Sequence, residues 1–235
     1  MATITPITGT GALSLLDPKH ARLRRLLEAL NGPDTQHNTE LALQARIVHL
    51  QSELDDCRQR LQRLDGVARQ QQRQALTDVL TGLPNRRAWQ QRLAEATAYC
   101  RRHGGELQLA MLDVDHFKRI NDAFGHSAGD KALRLIARLL ASRLRDSDFL
   151  ARYGGEEFAI LLPNTGQADG SWVIEQLCET IEAAPFHIRG RRLRITCSAG
   201  LASLADDEPG METLRRADRA LYKAKKAGRN RLELG

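Results

Sequence analysis

Two short acidic stretches carry the residue types that could do chemistry. Asp113-Val114-Asp115 follows the apolar run Leu109-Ala-Met-Leu112, and Glu156-Glu157 follows Gly154-Gly155 within Arg152-Tyr-Gly-Gly-Glu-Glu-Phe158. A carboxylate at the end of a buried apolar strand is a costly place for an unpaired charge, and a cation is the usual remedy. Two adjacent carboxylates at a hairpin tip repel each other unless a cation sits there. Hard oxygen ligands, with no His or Cys set nearby, favour Mg²⁺ or Mn²⁺ over zinc. If the strands bearing Asp113 and Glu156/Glu157 are neighbours in one sheet, their carboxylates converge. Converging acids without a catalytic Ser or Cys arrangement point to two-metal phosphoryl or nucleotidyl transfer. Lys118, Lys225 and Arg229 supply cations suited to phosphates. Plainer readings compete at each place: Asp113 or Asp115 as a helix N-cap, the Gly-Gly-Glu-Glu run as an acidic surface hairpin, each cation as an ordinary surface charge.

The elements that must position these residues follow from pattern. Residues 107–112 read as a buried strand, and 149–153 with 157–162 as a hairpin. Gly154-Gly155 predicts a two-residue primed turn with positive φ at both glycines. Turn chemistry over 78–87 leads into a helix to about Arg102, broken at Gly104-Gly105. Helices are expected over 128–144, 168–183 and 212–226, and strands over 193–201 and 229–234. The sum is an α/β domain close to a β-α-β-β-α-β core.

Residues 1–75 read differently. Asp17-Pro18 opens a short helix over 17–31 that carries Leu23, Leu26, Leu27 and Leu30 on one face, and Asn31-Gly32-Pro33 stops it. From Thr39, the residues Leu43, Ile47, Leu50, Leu54, Cys57, Leu61, Leu64, Ala68, Gln71 and Ala75 alternate in steps of four and three. That is a heptad seam of about four and a half repeats. With Ile47 at position a, Glu53 faces Arg58 and Arg60 faces Asp65 of a parallel partner helix. Such a stalk spans roughly 50 Å. The competing reading is a long helix packed on its own domain. The seam weakens at Ala68, Gln71 and Ala75, which suggests a joint that can change register.

Composition narrows the class. The 235 residues and 42% hydrophobic content suit a core domain plus an extension, and the net charge is +6. Such a charge permits polyanion binding, but the arginines are interleaved with acids and aromatics are only 4%, too few for a base-stacking platform. A dedicated nucleic-acid binder is therefore not expected. No apolar run reaches the roughly 18–20 residues of a membrane span, and residues 1–16 lack the Lys or Arg of a secretory signal. Cys57, Cys100, Cys178 and Cys197 are scattered, which reads as buried reduced thiols in a cytoplasmic protein.

Four ordered motifs go further. Asp78-x-Leu-Thr-Gly-Leu-Pro-Asn-Arg-Arg87, Asp113-x-Asp-x-Phe-Lys-x-Ile-Asn-Asp-x-x-Gly-His-x-x-Gly-Asp130, Arg152-Tyr-Gly-Gly-Glu-Glu-Phe158 and Ala217-Asp-x-Ala-Leu-Tyr-x-Ala-Lys-x-x-Gly-Arg-Asn230 resemble the GGDEF domain of diguanylate cyclases over about residues 76–235. The signature has Glu where the family name has Asp. The resemblance implies a palm-like nucleotidyl-cyclase fold, with a mostly antiparallel central sheet flanked by helices, behind an N-terminal regulatory region of residues 1–75. It implies that Asp113, Glu156 and the Val114 carbonyl hold Mg²⁺, with Mn²⁺ as substitute, and that Glu157 supports the site. Asn121 and Asp130 would read the guanine edge. The backbone at His116 and Phe117, with Lys118, Lys225 and Arg229, would hold the β- and γ-phosphates, and Gly154 and Gly155 would let the main chain approach the nucleotide. Two GTP molecules, one on each of two facing domains, would condense to cyclic di-GMP with loss of two pyrophosphates. The stalk would make the homodimer or higher oligomer.

Two Arg-x-x-Asp registers overlap, Arg143/Asp146 and Arg145/Asp148. The family's inhibitory product site ends five residues before the Gly-Gly pair, which selects Arg145 and Asp148; a surface ion pair is the alternative. Residues 1–75 show no sensor or receiver pattern, so an activating partner protein at the first helix or the stalk is the expected input. A binding module without turnover and a coiled-coil scaffold are the remaining alternatives.

Overall fold

A computed structural model describes the chain from Thr35 onward; the helix expected over 17–31 lies outside the described residues. The chain divides between Gln70 and Gln71 into two compact units. A helix of 42 residues, α1 (Thr35–Leu76), begins in the first. Along it Leu43, Ile47, Leu50, Leu54, Leu61 and Leu64 are all exposed, from 47% to 66%. The side chains of Ala68 and Gln71, where the seam is expected to weaken, lie outside the described residues.

In the second unit, α2 (Arg86–His103) precedes the fully buried strand β1 (Leu107–Val114). Next come α3 (Phe117–Phe124) and α4 (His126–Arg143), then β2 (Phe149–Arg152) and β3 (Glu157–Pro163). The chain continues through α5 (Gln167–Ala183), the small hairpin β4 (Phe186–Ile188) and β5 (Arg191–Leu193), and β6 (Cys197–Ser203). It closes with α6 (Gly210–Lys226) and β7 (Leu232–Leu234).

The five-stranded sheet has the order β2-β3-β1-β6-β7. All its pairings are antiparallel except β6 with β7. This is the expected β-α-β-β-α-β core with one strand added. Alternation along the strands divides the core into two layers. Ala110, Leu112 and Val114 of β1 join Phe158, Ile160 and Leu162 of β3 under α4 and α5. Leu107, Leu109 and Met111 join Ala159 and Leu161 under Trp89 and Leu93 of α2 and Leu214, Ala217 and Leu221 of α6. Helices on both faces explain why β1 reads as a continuous apolar run.

Three expectations on elements need correction. The strand expected over 193–201 is two strands: β5 pairs only with β4, while β6 pairs with β1. The Arg189-Gly190 turn, with φ of 50° and 76°, makes that extra hairpin. The last strand starts at Leu232 rather than Arg229, because Arg229 and Asn230 both take left-handed backbone, at φ 66° and 47°. The short helix α3 was not anticipated. Of the four cysteines only Cys178 and Cys197 are buried, with their Sγ atoms 3.2 Å apart; Cys57 is exposed and Cys100 half-buried, and all four are free. Among the described residues no helix is long and apolar enough to cross a membrane.

Gly200 of β6 fixes how closely α6 lies on the sheet, since a Cβ there would strike the backbone of Ala217 and Leu221. Gly200→Ala should therefore destabilise the domain by about 3 kcal/mol, the upper end of overpacking costs. The shift of the urea midpoint measures it.

Candidate active site

Strand parity builds the site. Asp113 and Glu157 are register partners across the β1–β3 ladder. Lys225, in the last turn of α6, places its Nζ 2.8 Å from Asp113 Oδ2. Glu157 borders a cleft of about 420 Å³ together with Asp218, Tyr222 and Lys225 of α6. Glu156 lies in the loop between β2 and β3, and its carbonyl accepts the Val114 N–H at 3.2 Å. Asp113, Val114, Glu156, Glu157 and Lys225 therefore gather at one end of β1. Asp115 caps no helix. Its carboxylate accepts from Ser198 Oγ at 2.7 Å, Thr196 Oγ1 at 2.8 Å and the Asn230 N–H at 3.0 Å. It thereby fixes the turn that carries Arg229.

This concentration of acid has an electrostatic signature. Asp113 is only 5% exposed. Burial pushes its carboxyl up, and Asp115 adds to this, although Lys225 and Arg229 pull the other way. Burial and the Asp113 charge push Glu156 up. Burial, Asp113 and Asp218 push Glu157 up, opposed by Lys225 and Arg86. The cations present do not fully compensate the acids.

A second cluster lies where α3 meets α4. His116 enters α3 with φ 56° and no side-chain cap, so the N–H groups of the first turn, at Phe117 and Lys118, have no intrahelical partner. Lys118 is exposed beside them. A Cβ on Gly129 would collide with Asn121 Oδ1 and come within 2.9 Å of Phe117 Cζ, so the glycine lets α4 close on α3. This leaves Asn121 Oδ1 buried with no hydrogen-bond partner. Asp130 follows Gly129 and is partly exposed.

The loop carrying Glu156 differs from expectation. Tyr153–Glu156 separate the two strands, and neither Gly154 nor Gly155 takes positive φ. The N–H groups of Tyr153 and Gly154 both point to the Glu157 carbonyl, at 2.8 and 3.2 Å. A Cβ on Gly154 would meet the end of the Glu157 side chain, a contact that the flexible carboxylate can relieve. Sequence reading missed what holds this loop. Arg152 donates to the Gly155 carbonyl through Nε at 3.2 Å and Nη2 at 2.6 Å, and through Nη1 to both Asp78 oxygens at 3.0 and 3.1 Å. Asp78 Oδ1 also accepts from the Thr81 N–H at 2.9 Å and hydroxyl at 2.6 Å. Against burial, which pushes it up, the bonds from Thr81 and Arg152 hold the Asp78 carboxyl below its ordinary value. Asp-x-x-Thr is a local turn signature and was visible; the 74-residue reach to Arg152 was not.

Arg145 and Asp148 stand apart, in the turn before β2, at the end of that strand opposite the Glu156 loop. The Asp148 carboxylate accepts the Arg145 N–H at 3.0 Å, and the Asp148 N–H returns to the Arg145 carbonyl at 3.0 Å. The two residues are joined through the backbone, not as a side-chain ion pair, and the Arg145 side chain is exposed.

Among the described residues no three His, Cys, Asp or Glu side chains form a metal set. The end of β1 offers two carboxylates, Asp113 and Glu156, with the Val114 carbonyl. Mg²⁺ is commonly held by one or two carboxylates plus the phosphates of a substrate, so the donor set fits a hard cation that arrives with a phosphate ligand.

Residues 75–231 match the family described as diguanylate cyclase, GGDEF domain. Diguanylate cyclase DgcP of Pseudomonas aeruginosa is 46% identical over 217 residues, 91% of this chain and 32% of that protein. Response regulator PleD of Caulobacter vibrioides is 40% identical over 159 residues, 66% of this chain and 35% of PleD. The chain thus spans about a third of the length of these curated relatives. The coiled coil and GGDEF domain of DgcB from Caulobacter crescentus, in complex with c-di-GMP, superimposes with a TM-score of 0.75 at 34% identity, covering 79% of this chain and 99% of that one. Diguanylate cyclase SiaD in complex with its activator SiaC, from Pseudomonas aeruginosa, gives a TM-score of 0.68 at 34% identity, covering 92% of this chain and 84% of that one.

The raised carboxyls predict a pH dependence. Where a carboxyl titrates higher in the fold than in the unfolded chain, the fold binds the extra proton, so stability is present at low pH and lost as pH rises through the folded value. The metal-free melting temperature should fall as pH rises just above the ordinary carboxylate range, and Mg²⁺ with a nucleotide should restore it at neutral pH. Glu156→Gln should raise the metal-free melting temperature at neutral pH and blunt that restoration. Scanning calorimetry across pH measures both.

Proposed function

The chain belongs to the diguanylate cyclase GGDEF-domain family, and we propose that it condenses two GTP into cyclic di-GMP and two pyrophosphates. The observation that carries this reading is the buried Asp113 with Glu156, Glu157 and Lys225 at the end of β1. Asn121 and Asp130 read guanine: the Asp130 carboxylate accepts from N1–H and the exocyclic amine, donors that adenine lacks there. The unpartnered Asn121 Oδ1 supports this role. The backbone at His116 and Phe117, with Lys118, Lys225 and Arg229, holds the β- and γ-phosphates. Asp113, Glu156 and the Val114 carbonyl would hold Mg²⁺, which when bound neutralises charge on the phosphates and lowers the pKa of a bound hydroxyl. Gly154 and Gly155 keep the loop free of side chains beside the nucleotide. The 3′-oxygen of one GTP attacks the α-phosphorus of the other, pyrophosphate leaves, and the second attack closes the ring.

One chain supplies one GTP site, so two chains meet face to face. The exposed Leu/Ile stripe of α1 supports a parallel coiled-coil stalk that raises the local concentration of the second half-site. Arg145 and Asp148 form the product-inhibition site: the Asp148 carboxylate is held by the backbone, and the free Arg145 fork suits phosphate and guanine. Activation by a partner protein acting on residues 1–75 is supported by the likeness to SiaD, whose structure contains its activator. A binding module without turnover would not need Asp113, Glu156 and Lys118 together, and a scaffold would not need the guanine and phosphate sets.

Three measurements test this reading. Glu156→Gln keeps shape and removes a charge, so cyclic di-GMP production should collapse while the melting transition persists; near-normal production would remove Glu156 from the site. Arg145→Ala should leave initial rates nearly intact and relieve inhibition by added cyclic di-GMP, and unchanged inhibition would return the pair to an ordinary surface turn. Leu54→Asp with Leu61→Asp puts charges into the seam. That variant should sediment as a monomer, with activity that falls steeply on dilution. A fully active monomer, indifferent to dilution, would show that the stalk does not assemble the site.

A further inference from the structure

The β4–β5 hairpin has no part in the chemistry above and carries charge of one sign. His187-Ile-Arg-Gly-Arg-Arg-Leu-Arg194 holds four arginines and no acid. Phe186 and Ile188 turn inward and are buried, and Leu193 is half-buried. His187, Arg189, Arg191 and Arg192 are exposed, and His187 lies opposite Arg192 in the ladder. The left-handed Arg189-Gly190 pair makes the tip a tight turn. At the base, Arg194 is paired with Glu182, whose other oxygen accepts from Asn230 Nδ2 at 2.8 Å. Among the described residues Arg189, Arg191 and Arg192 make no ion pair. Three guanidinium groups thus stay free of acids around one exposed turn.

The shape of this patch selects its partner. Arg192 borders a cavity of about 340 Å³ with Arg194, but Glu182 lines that cavity too, which disfavours a small anion there; Arg189 and Arg191 are exposed and do not line it. The outward side chains include no apolar group, so the patch lacks the hydrophobic core of a protein–protein interface. Nor does it offer an aromatic platform for single strands, and although a two-stranded ribbon can enter a duplex groove, the strands here are only three residues each. A planar anionic surface asks for none of these; it needs only arginines within a Debye length of phosphate headgroups. We propose that the β4–β5 hairpin is a peripheral contact for anionic lipid headgroups, through which the domain rests reversibly on a membrane surface.

Cosedimentation of the full chain with vesicles tests this. Binding to phosphatidylglycerol/phosphatidylcholine vesicles should be clear at low salt, weaken steeply as salt rises, and be absent with phosphatidylcholine alone. Arg191→Gln with Arg192→Gln should weaken partitioning about 25-fold, at roughly five-fold per arginine, without changing cyclic di-GMP production in vesicle-free solution. Arg87→Gln with Arg102→Gln removes the same charge from α2 and should cost far less. Equal loss in the two double variants would reduce the effect to net charge and overturn the assignment. So would equal binding to neutral vesicles, or a hairpin-dependent preference for a duplex oligonucleotide over anionic vesicles at the same salt.

Discussion

The structure depends on the burial of one carboxylate. Asp113 is the penultimate residue of a strand buried along its whole length, faces Glu157 across the ladder, and is only 5% exposed. A charge in that position needs a partner, and α6 delivers Lys225 to it at 2.8 Å. That delivery depends on Gly200, which lets α6 lie directly on β6. Asp115, two residues further on, draws in β6 and the turn after α6 through Thr196, Ser198 and Asn230. The cations and the acids are thus located by the same few contacts.

The arrangement sets stability against function. Lys225 does not bring the three carboxyls back to their ordinary range; each titrates high. An apolar or neutral set would fold more easily, but only the charged set can take up a hard cation with a phosphate ligand. The loop that presents Glu156 is held in return by Arg152, whose guanidinium bonds to the Gly155 carbonyl and to Asp78 together. Hydrogen bonds between charged groups of this kind contribute about 1.5–3 kcal/mol each, enough to keep a loop of repelling acids in one conformation.

Much of this was legible in the sequence because it is local. The apolar run before Asp113, the hairpin around Glu156 and the amphipathic helices follow from period and turn chemistry. Strand parity then places Asp113 and Glu157 side by side once the neighbouring strands are known. The failures have physical reasons. Gly-Gly suggests a primed turn, but neither glycine takes positive φ; the loop is closed by the Tyr153 and Gly154 N–H groups on the Glu157 carbonyl and by Arg152 on the Gly155 carbonyl. The apolar pattern over 193–201 runs across a sheet boundary, since β5 pairs with β4 through the Arg189-Gly190 turn while β6 pairs with β1. Arg152 and Asp78 lie 74 residues apart, and no periodicity reports a pair at that distance. Asn121 and Gly129 belong to one cluster only because α4 folds back on α3.

These arrangements have one reading in common: an acidic strand end with flanking cations works on nucleotide phosphates, and a separate helix pair chooses the base. Incubation of the purified chain with Mg²⁺ and either GTP or ATP, with product and pyrophosphate both quantified, tests that reading most directly. It predicts cyclic di-GMP from GTP with two pyrophosphates per product, and no cyclic dinucleotide from ATP. Equal use of ATP, or pyrophosphate release without a cyclic dinucleotide, would contradict it.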